Sequence, residues 1–223
     1  MSDKRAAGQY VETRNPSGSG PYLLVCEHAS NHIPPEFADL GLPKEALTSH
    51  IAWDPGALAV ALELSRLLDA PLIFQNASRL IYDCNRPPEA ADAMPAMPAV
   101  SEVYQVPGNA NLTQEDRDRR AEEFYFPFRG ALAAHLDARK DTPTIVTVHS
   151  FTPIYHGKQR AVETGILHDT DDRIAQGMMK AARGEATSYN VQINEPYGPA
   201  DGVTHTLREH ALTDPEPFGR PRL

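Results

Sequence analysis

Apolar segments of four or five residues alternate along this sequence with longer segments of helical periodicity. The clearest is Tyr22-Leu23-Leu24-Val25-Cys26, which is apolar throughout and stops at the polar run that begins with Glu27. A short continuous apolar run of this kind is typical of a strand that is buried on both faces. The alternation of strands and helices favours a single α/β domain with a central mixed, mostly parallel sheet flanked by helices.

Four further strands and three helices are predicted from the same patterns. We expect strands at residues 71–74, 144–148, 164–167 and 189–193, and helices at residues 55–68, 113–136 and 171–182. Asp54 is positioned to cap the first helix, and Thr113 with Asp116 is expected to cap the second. The proline-rich segment 87–112 breaks both patterns and is predicted to be a surface loop or lid.

The two ends of the chain differ in composition from the rest. Residues 1–20 are polar and end in Pro16-Ser17-Gly18-Ser19-Gly20, a composition that buries too little apolar area to offset the entropy of ordering. We therefore predict a flexible leader at residues 1–20. The domain is placed at residues 21–212, and residues 213–223, which hold three prolines, are predicted to be an irregular tail.

Composition and charge exclude several classes of protein. With 41% hydrophobic and 23% charged residues, the 223-residue chain has ordinary globular usage, and its formal net charge of -9 opposes binding to nucleic acid. Neither an apolar run long enough for a membrane span nor an export signal is found. Cys26 and Cys84 match no zinc-ribbon or redox spacing and favour a reducing cytoplasm. The sequence does not determine the oligomeric state.

Polar residues that could take part in binding or catalysis follow three of the predicted strands. They are Glu27-His28, His149-Ser150 and Asn194-Glu195. Because ligand sites in α/β sheets form at the carboxyl ends of strands, we expect these clusters to meet if the strands share one sheet. His28 and His149 are then candidate ligands of a divalent metal, with Asp54 as the third, and this donor set is typical of a hydrolytic zinc site. The alternative, that each histidine makes only a structural hydrogen bond, stays open.

Two arginines flank an acidic residue in the segment at residues 78–86. Arg79 and Arg86 could clamp an anionic small molecule, because a guanidinium holds a carboxylate with two parallel hydrogen bonds. The alternative is a salt bridge from either arginine to Asp83. Arg160, Arg173 and Lys158 are interpreted most simply as solvated charges.

Five segments together resemble, in the same order, motifs of the N-formylglutamate amidohydrolase family. They are Cys-Glu-His-Ala-Ser-Asn-His-Ile-Pro at 26–34, His-Ile-Ala-Trp-Asp-Pro-Gly-Ala at 50–57, Ser-Arg-Leu-Ile-Tyr-Asp-Cys-Asn-Arg-Pro at 78–87, His-Ser-Phe-Thr-Pro at 149–153 and Asn-Glu-Pro-Tyr at 194–197. The resemblance covers about residues 21–212. It implies a phosphorylase/hydrolase-like fold similar to zinc carboxypeptidases. It also implies hydrolysis of N-formyl-L-glutamate to formate and L-glutamate in histidine degradation.

The resemblance also implies roles for individual residues. His28, Asp54 and His149 would hold the divalent metal, with zinc as the expected ion, and the metal would activate a water molecule against the formyl carbonyl. A carboxylate would accept the proton of that water and pass it to the leaving amine. The residues expected to bind the substrate are Arg79, Asn85, Arg86 and Asn194.

The ending of the sequence departs from the family pattern. Family members usually continue past residues 204–211 with an apolar strand that carries a Glu-x-Arg segment, the region that supplies the general base in carboxypeptidase-like sites. Since this sequence continues into a proline-rich ending, we expect the last strand and its base to be missing, through truncation or an altered reading frame. Glu27 and Glu195 are then candidates for the base, and each has the alternative interpretation of a supporting or structural residue.

Two rival functions follow from this departure. The chain could be a catalytically impaired protein that binds small anions, having lost the general base with the last strand. It could instead be a hydrolase of other small amides or peptides, with the same metal site and a different pocket.

Overall fold

Four strands form the central sheet of the computed structural model, which describes residues 8–98, 104–155, 157–184 and 188–211. The strands are β1 (Val11–Arg14), β2 (Tyr22–Cys26), β3 (Leu72–Gln75) and β4 (Thr144–Thr147). Their spatial order is β1-β3-β2-β4. Strand β2 runs parallel to β3 and β4, whereas β1 pairs antiparallel with β3. The predicted mixed, mostly parallel sheet is therefore confirmed.

Helices and shorter strands surround this sheet. The helices are α1 (Lys44–Thr48), α2 (Ala57–Leu67), α3 (Gln114–Arg120), α4 (Phe126–Ala138), α5 (Arg173–Gly184) and α6 (His205–His210). The remaining strands are β5 (Ile154–Tyr155), β6 (Lys158–Gln159), β7 (Thr164–Ile166) and β8 (Val191–Ile193). No helix among the described residues is both long enough and apolar enough to cross a membrane.

Side chains of β2 alternate between the two faces of the sheet. Leu23 and Val25 pack in the larger core cluster with Phe128 of α4, and Leu24 packs in a second cluster with Ala61 of α2. Each fully buried side chain of this size contributes about 1.5–3 kcal/mol relative to exposure. Burial on both faces explains why the segment is apolar throughout, and it fixes where the polar residues after β2 emerge.

The cap predicted at Thr113 is confirmed. The Thr113 hydroxyl accepts a hydrogen bond from the backbone N–H of Asp116, and the Asp116 carboxylate accepts one from the backbone N–H of Thr113. These bonds satisfy two backbone donors that the first turn would leave unpaired. The helix continues from α3 through a π-helical turn at Ala121–Tyr125 into α4.

The prediction of a flexible leader over residues 1–20 is wrong where the structure describes those residues. Strand β1 adds to the sheet by pairing with β3, and the ring of Tyr10 stacks on Phe124 with the centroids 5.0 Å apart. Backbone hydrogen bonds to β3 and burial of the Tyr10 ring stabilise the ordered segment, although its composition is polar. Residues 1–7 lie outside the described residues.

Two expectations about strand ends and caps are also wrong. Strands β7 and β8 pair parallel as a separate two-stranded sheet, with a small cluster of their own that contains Ile166 and Met179. The clusters at Glu27-His28 and at His149 therefore share a sheet, but Asn194-Glu195 does not.

Helix α2 is capped by Gly56, whose φ of 85° is left-handed, and no side-chain cap is formed by Asp54.

The segment 87–112 is irregular, as predicted, but the described part of it is not a surface loop throughout. Met94 and Val106 are buried in the main core. The amide of Asn109 donates to the carbonyl of Leu80 at 2.8 Å and accepts from Arg120 at 2.7 Å. These contacts pack the described part of the segment on the main core. Residues 99–103 and the predicted tail at 213–223 lie outside the described residues.

Candidate active site

Three side chains converge where β2 and β4 end and α2 begins. His28 follows β2, His149 follows β4, and Asp54 lies in the loop before α2. The Oδ2 atom of Asp54 lies 3.3 Å from Nδ1 of His28 and 2.9 Å from Nδ1 of His149. The potential ligand atoms of the three residues all lie within 4.8 Å of one another. The structure thus brings together the three residues that the sequence predicts as metal ligands.

Backbone hydrogen bonds hold Asp54 in this position. Its N–H donates to the carbonyl of His28 at 2.9 Å, so the loop before α2 is fastened to the end of β2. The N–H of Ser150 donates to Oδ2 of Asp54 at 3.3 Å, which fastens the same carboxylate to the end of β4. The side chain of Ser78 donates to the carbonyl of Ala52 at 2.8 Å. The site is therefore built on parallel neighbours of one rigid sheet.

A second carboxylate orients His28 from the other side. Nε2 of His28 lies 2.7 Å from Oδ1 of Asp83, and both side chains are buried. Asp83 also accepts hydrogen bonds from Arg79 at 2.7 Å and from the backbone N–H of Asn85 at 3.0 Å. When its ring is neutral, a histidine whose one nitrogen donates to a carboxylate presents its other nitrogen as a lone-pair donor, and a metal that binds there displaces the proton of the metal-free ring.

The charges of the cluster are strongly coupled. Burial and the Arg79 guanidinium act to lower the pKa of His28, but the carboxylates of Asp83 and Asp54 outweigh them and raise that pKa to about 9. Burial acts to raise the pKa of Asp54, but the two histidines outweigh it and hold that pKa well below its usual range. Asp54 is therefore ionised at neutral pH and presents negative charge to a cation.

Glu27 adds a third carboxylate beside the cluster. Its side chain is fully buried, and neither carboxylate oxygen has a hydrogen-bond partner among the described residues. Oε2 of Glu27 lies 3.4 Å from Nε2 of His149. A buried carboxylate that accepts no hydrogen bond is costly, so this one indicates a group that the described residues do not supply. Two imidazoles and adjacent carboxylates are the donor chemistry of a divalent cation such as zinc, and the residues present fit one.

The structure shows where the predicted substrate-binding residues on the segment 78–86 lie. Arg79 borders the cluster, and its ion pair with Asp83 is the alternative that the sequence left open. Arg86 pairs with Asp92 at 2.8 Å. The Asn85 amide is buried and engaged by the backbone of α6, because it accepts from the N–H of Thr206 at 3.1 Å. Recognition of substrate by these residues stays a prediction.

Asn194 and Glu195 lie beyond β8, outside the sheet that carries the cluster. The Asn194 amide oxygen accepts a hydrogen bond from the backbone N–H of His168 at 3.0 Å. Glu195 is exposed, and within the described part of the chain no hydrogen bond or ion pair joins its side chain to His28, Asp54 or His149.

Arg160 lies among three aromatic rings, and the sequence analysis did not predict these surroundings. The guanidinium of Arg160, interpreted from the sequence as a solvated charge, lies over Tyr155 at 4.5 Å, Tyr197 at 5.0 Å and Phe151 at 5.7 Å. It donates to the hydroxyl of Tyr197 at 3.0 Å. Two of these rings could have been noticed in the sequence: Phe151 lies in the same motif as His149, and Tyr197 lies in the same motif as Asn194.

Comparisons with known proteins identify a matching sequence family and a similar solved structure. A sequence model of the N-formylglutamate amidohydrolase family matches residues 20–215. The crystal structure of gene product Atu2144 from Agrobacterium tumefaciens is similar to the chain, with a TM-score of 0.86 and 50% sequence identity, and the match covers 92% of this chain and 81% of that one. No curated protein matches the chain.

Proposed function

Because the chain belongs to the N-formylglutamate amidohydrolase family, a family of hydrolases, we propose that it cleaves the amide C–N bond of an N-acyl amino acid with the help of a divalent metal. N-formyl-L-glutamate is the first substrate we propose, with formate and L-glutamate as products. The observation that carries the proposal is the convergence of His28, Asp54 and His149 beside the buried carboxylate of Glu27, which accepts no hydrogen bond from the described residues.

We propose that His28, Asp54 and His149 hold the metal, and zinc is the ion that their donor atoms suit best. When bound, such an ion supplies a Lewis acid that polarises a carbonyl oxygen and lowers the pKa of water. Asp83 supports the site by keeping the His28 ring in one orientation through their 2.7 Å contact.

Glu27 is our choice for the general base. Its carboxylate is buried within 3.4 Å of His149 and has no hydrogen-bond partner among the described residues, so its oxygens are free to accept a proton from water. The same group can return that proton to the leaving nitrogen. Glu195 is the weaker candidate, because its side chain is exposed and makes no contact with the cluster within the described structure.

Substrate recognition is assigned to residues around the cluster. Arg79 and Arg86 each keep part of the side chain exposed, 22% and 15%, and a carboxylate of the substrate can reach a guanidinium there. We propose that Asn85 and Asn194 shape the site through the backbone groups that they bind. By family resemblance the reaction belongs to histidine degradation and acts on a small molecule. From the net charge, the cysteine spacing and the absence of a long apolar run in the sequence, we propose a cytoplasmic protein that binds neither nucleic acid nor membrane.

The test is hydrolysis by purified protein loaded with zinc, cobalt or manganese. We expect release of formate and L-glutamate from N-formyl-L-glutamate, and slower release from N-acetyl and neutral N-formyl amino acids. Tight binding of N-formyl-L-glutamate without product would select the impaired anion-binding protein instead. Turnover of neutral amides in preference to acidic ones would select a hydrolase of other small amides or peptides.

A further inference from the structure

Among the described residues, the side chains that hold Arg160 in place carry no negative charge. Three aromatic rings, those of Phe151, Tyr155 and Tyr197, lie within 5.7 Å of its guanidinium carbon, and the Tyr197 hydroxyl accepts one of its N–H groups. Aromatic faces attract a guanidinium and restrict its rotation, but they leave its full positive charge available. The result is an ordered cation with unused hydrogen-bond donors.

The other two arginines near the cluster differ in this respect. Arg79 is paired with Asp83 and Asp54, and Arg86 is paired with Asp92. No ion pair to Arg160 occurs among the described residues, and its Nε atom is buried there without a hydrogen-bond partner. A buried polar atom without a partner is costly, so the site is built for a group that arrives from outside. A positive charge with free N–H groups selects an anion.

Two of the aromatic neighbours of Arg160 link it to the proposed metal cluster. Phe151, which carries one of the rings, follows His149 by two residues. Tyr197, which carries another, lies close enough to Arg79 for the two to affect each other electrostatically: burial raises the pKa of Tyr197, while the charges of Arg160 and Arg79 act to lower it. Arg79 in turn contacts Asp54 at 3.5 Å. These links connect Arg160 to Asp54 through Tyr197 and Arg79.

We propose that Arg160, oriented by Tyr155 and Tyr197, binds a non-reacting carboxylate of the substrate and sets the preference for acidic N-acyl amino acids. This inference rests on the proposed function and names the residue that recognises the substrate's charge. The partly exposed guanidinium groups of Arg79 and Arg86 are then left for the other carboxylate of the substrate.

The experiment compares Arg160→Gln and Arg160→Lys with the control Arg173→Gln. Arg173 is also an arginine but is 85% exposed and paired with Asp171 on the surface. For N-formyl-L-glutamate we expect Arg160→Gln to raise KM by about 10- to 100-fold, the usual effect of losing a charge-assisted hydrogen bond, with little change in kcat or metal content. Arg160→Lys should recover part of the loss, and Arg173→Gln should match the wild type.

Substrate analogues identify the carboxylate. N-formyl-L-glutamine lacks the side-chain carboxylate and N-formyl-L-isoglutamine lacks the α-carboxylate. Against the analogue without the carboxylate that Arg160 binds, wild type and Arg160→Gln should have the same KM. An unchanged KM of Arg160→Gln for N-formyl-L-glutamate itself overturns the inference.

Calorimetry of N-formyl-L-glutamate binding distinguishes a failure of this inference from a failure of the proposed function. If wild type binds it but releases no product, the hydrolase proposal fails, and weaker binding by Arg160→Gln still supports the anion site. If wild type does not bind it, both fail. Should Arg160→Gln unfold, Tyr197→Phe removes the hydroxyl that Arg160 contacts, and it should weaken binding in the same direction; unaltered binding by this variant and by Arg160→Lys contradicts the inference.

Discussion

The Nε2 atom of His28 lies 2.7 Å from Oδ1 of Asp83, and both side chains are buried. This contact fixes the imidazole so that its Nδ1 atom faces Asp54, where the proposed metal would lie. From the sequence, Asp83 was interpreted only as a possible salt-bridge partner of Arg79 or Arg86. It acts on the site through His28 and is therefore a positioning residue.

Replacement of Asp83 should weaken metal binding without removing a ligand. We expect Asp83→Asn to lower zinc affinity by about 10- to 100-fold, because the amide holds the His28 ring less firmly and no longer raises its basicity. Competition with a chromogenic chelator measures this affinity. The control is Asp92→Asn, since Asp92 pairs with Arg86 on the surface. Equal zinc affinity in Asp83→Asn and wild type would contradict the positioning role.

Glu27 should matter for turnover more than for folding. We expect Glu27→Gln to lower kcat by about 10²- to 10⁴-fold, the usual contribution of a general base. The melting temperature should stay the same or rise, because the substitution removes a buried charge whose oxygens have no partner among the described residues. Steady-state kinetics and thermal unfolding give both numbers. Full activity in Glu27→Gln, or a comparable loss in Glu195→Gln, would disprove the assignment.

The turn between Asp54 and α2 depends on a left-handed residue. Gly56 has a φ of 85°, a conformation that an L side chain adopts at a cost of about 1–2 kcal/mol. We expect Gly56→Ala to lower the free energy of unfolding by about that amount, although a Cβ at this position meets no neighbouring atom. The matched control is Gly177→Ala within α5, where alanine is expected to stabilise the helix by about 1 kcal/mol. Chemical denaturation compares the two variants.

Asp69 gives a pH-dependent contribution to stability. The side chain of Asn15 and the backbone and hydroxyl of Ser19 donate to its carboxylate and lower the pKa of Asp69 to about 2. An acid whose pKa falls on folding stabilises the native state above its unfolded pKa, about 3.9, and this contribution is lost as the pH falls through the folded value. Wild type should therefore melt above Asp69→Asn at pH 7, and the gap should close between about pH 4 and pH 2.

Asparagine is a suitable replacement at this position because it tolerates the positive φ of 47° that Asp69 adopts. A gap in melting temperature that is independent of pH would show that the carboxylate charge contributes nothing through these hydrogen bonds.

Much of the cluster could be predicted because it follows from local sequence. The uninterrupted apolar run of β2 marks a strand buried on both faces, so the residues after it, Glu27 and His28, had to emerge at the sheet edge. His149 follows β4, which pairs parallel with β2, and parallel neighbours present their carboxyl ends together.

Other features depend on contacts that a local pattern does not contain. Asp54 was predicted both to cap α2 and to join the two histidines; the structure shows no side-chain cap, and a hydrogen bond from its N–H to the carbonyl of His28 holds it at the cluster. Strand β1 is largely polar, and its pairing with β3 and the packing of Tyr10 before it hold it in the fold. The rings around Arg160 come from three segments of the chain, so its surroundings could not be read from its own neighbours.

The most direct test of the account is the zinc content of purified protein after loading and dialysis, measured by elemental analysis. If His28, Asp54 and His149 hold the metal, wild type and the control His135→Ala, on α4, should each keep one ion per chain. His149→Ala should lose most of it, because one of three ligands is removed. No zinc above background in wild type, or unchanged zinc in a folded His149→Ala variant, would contradict the central claim.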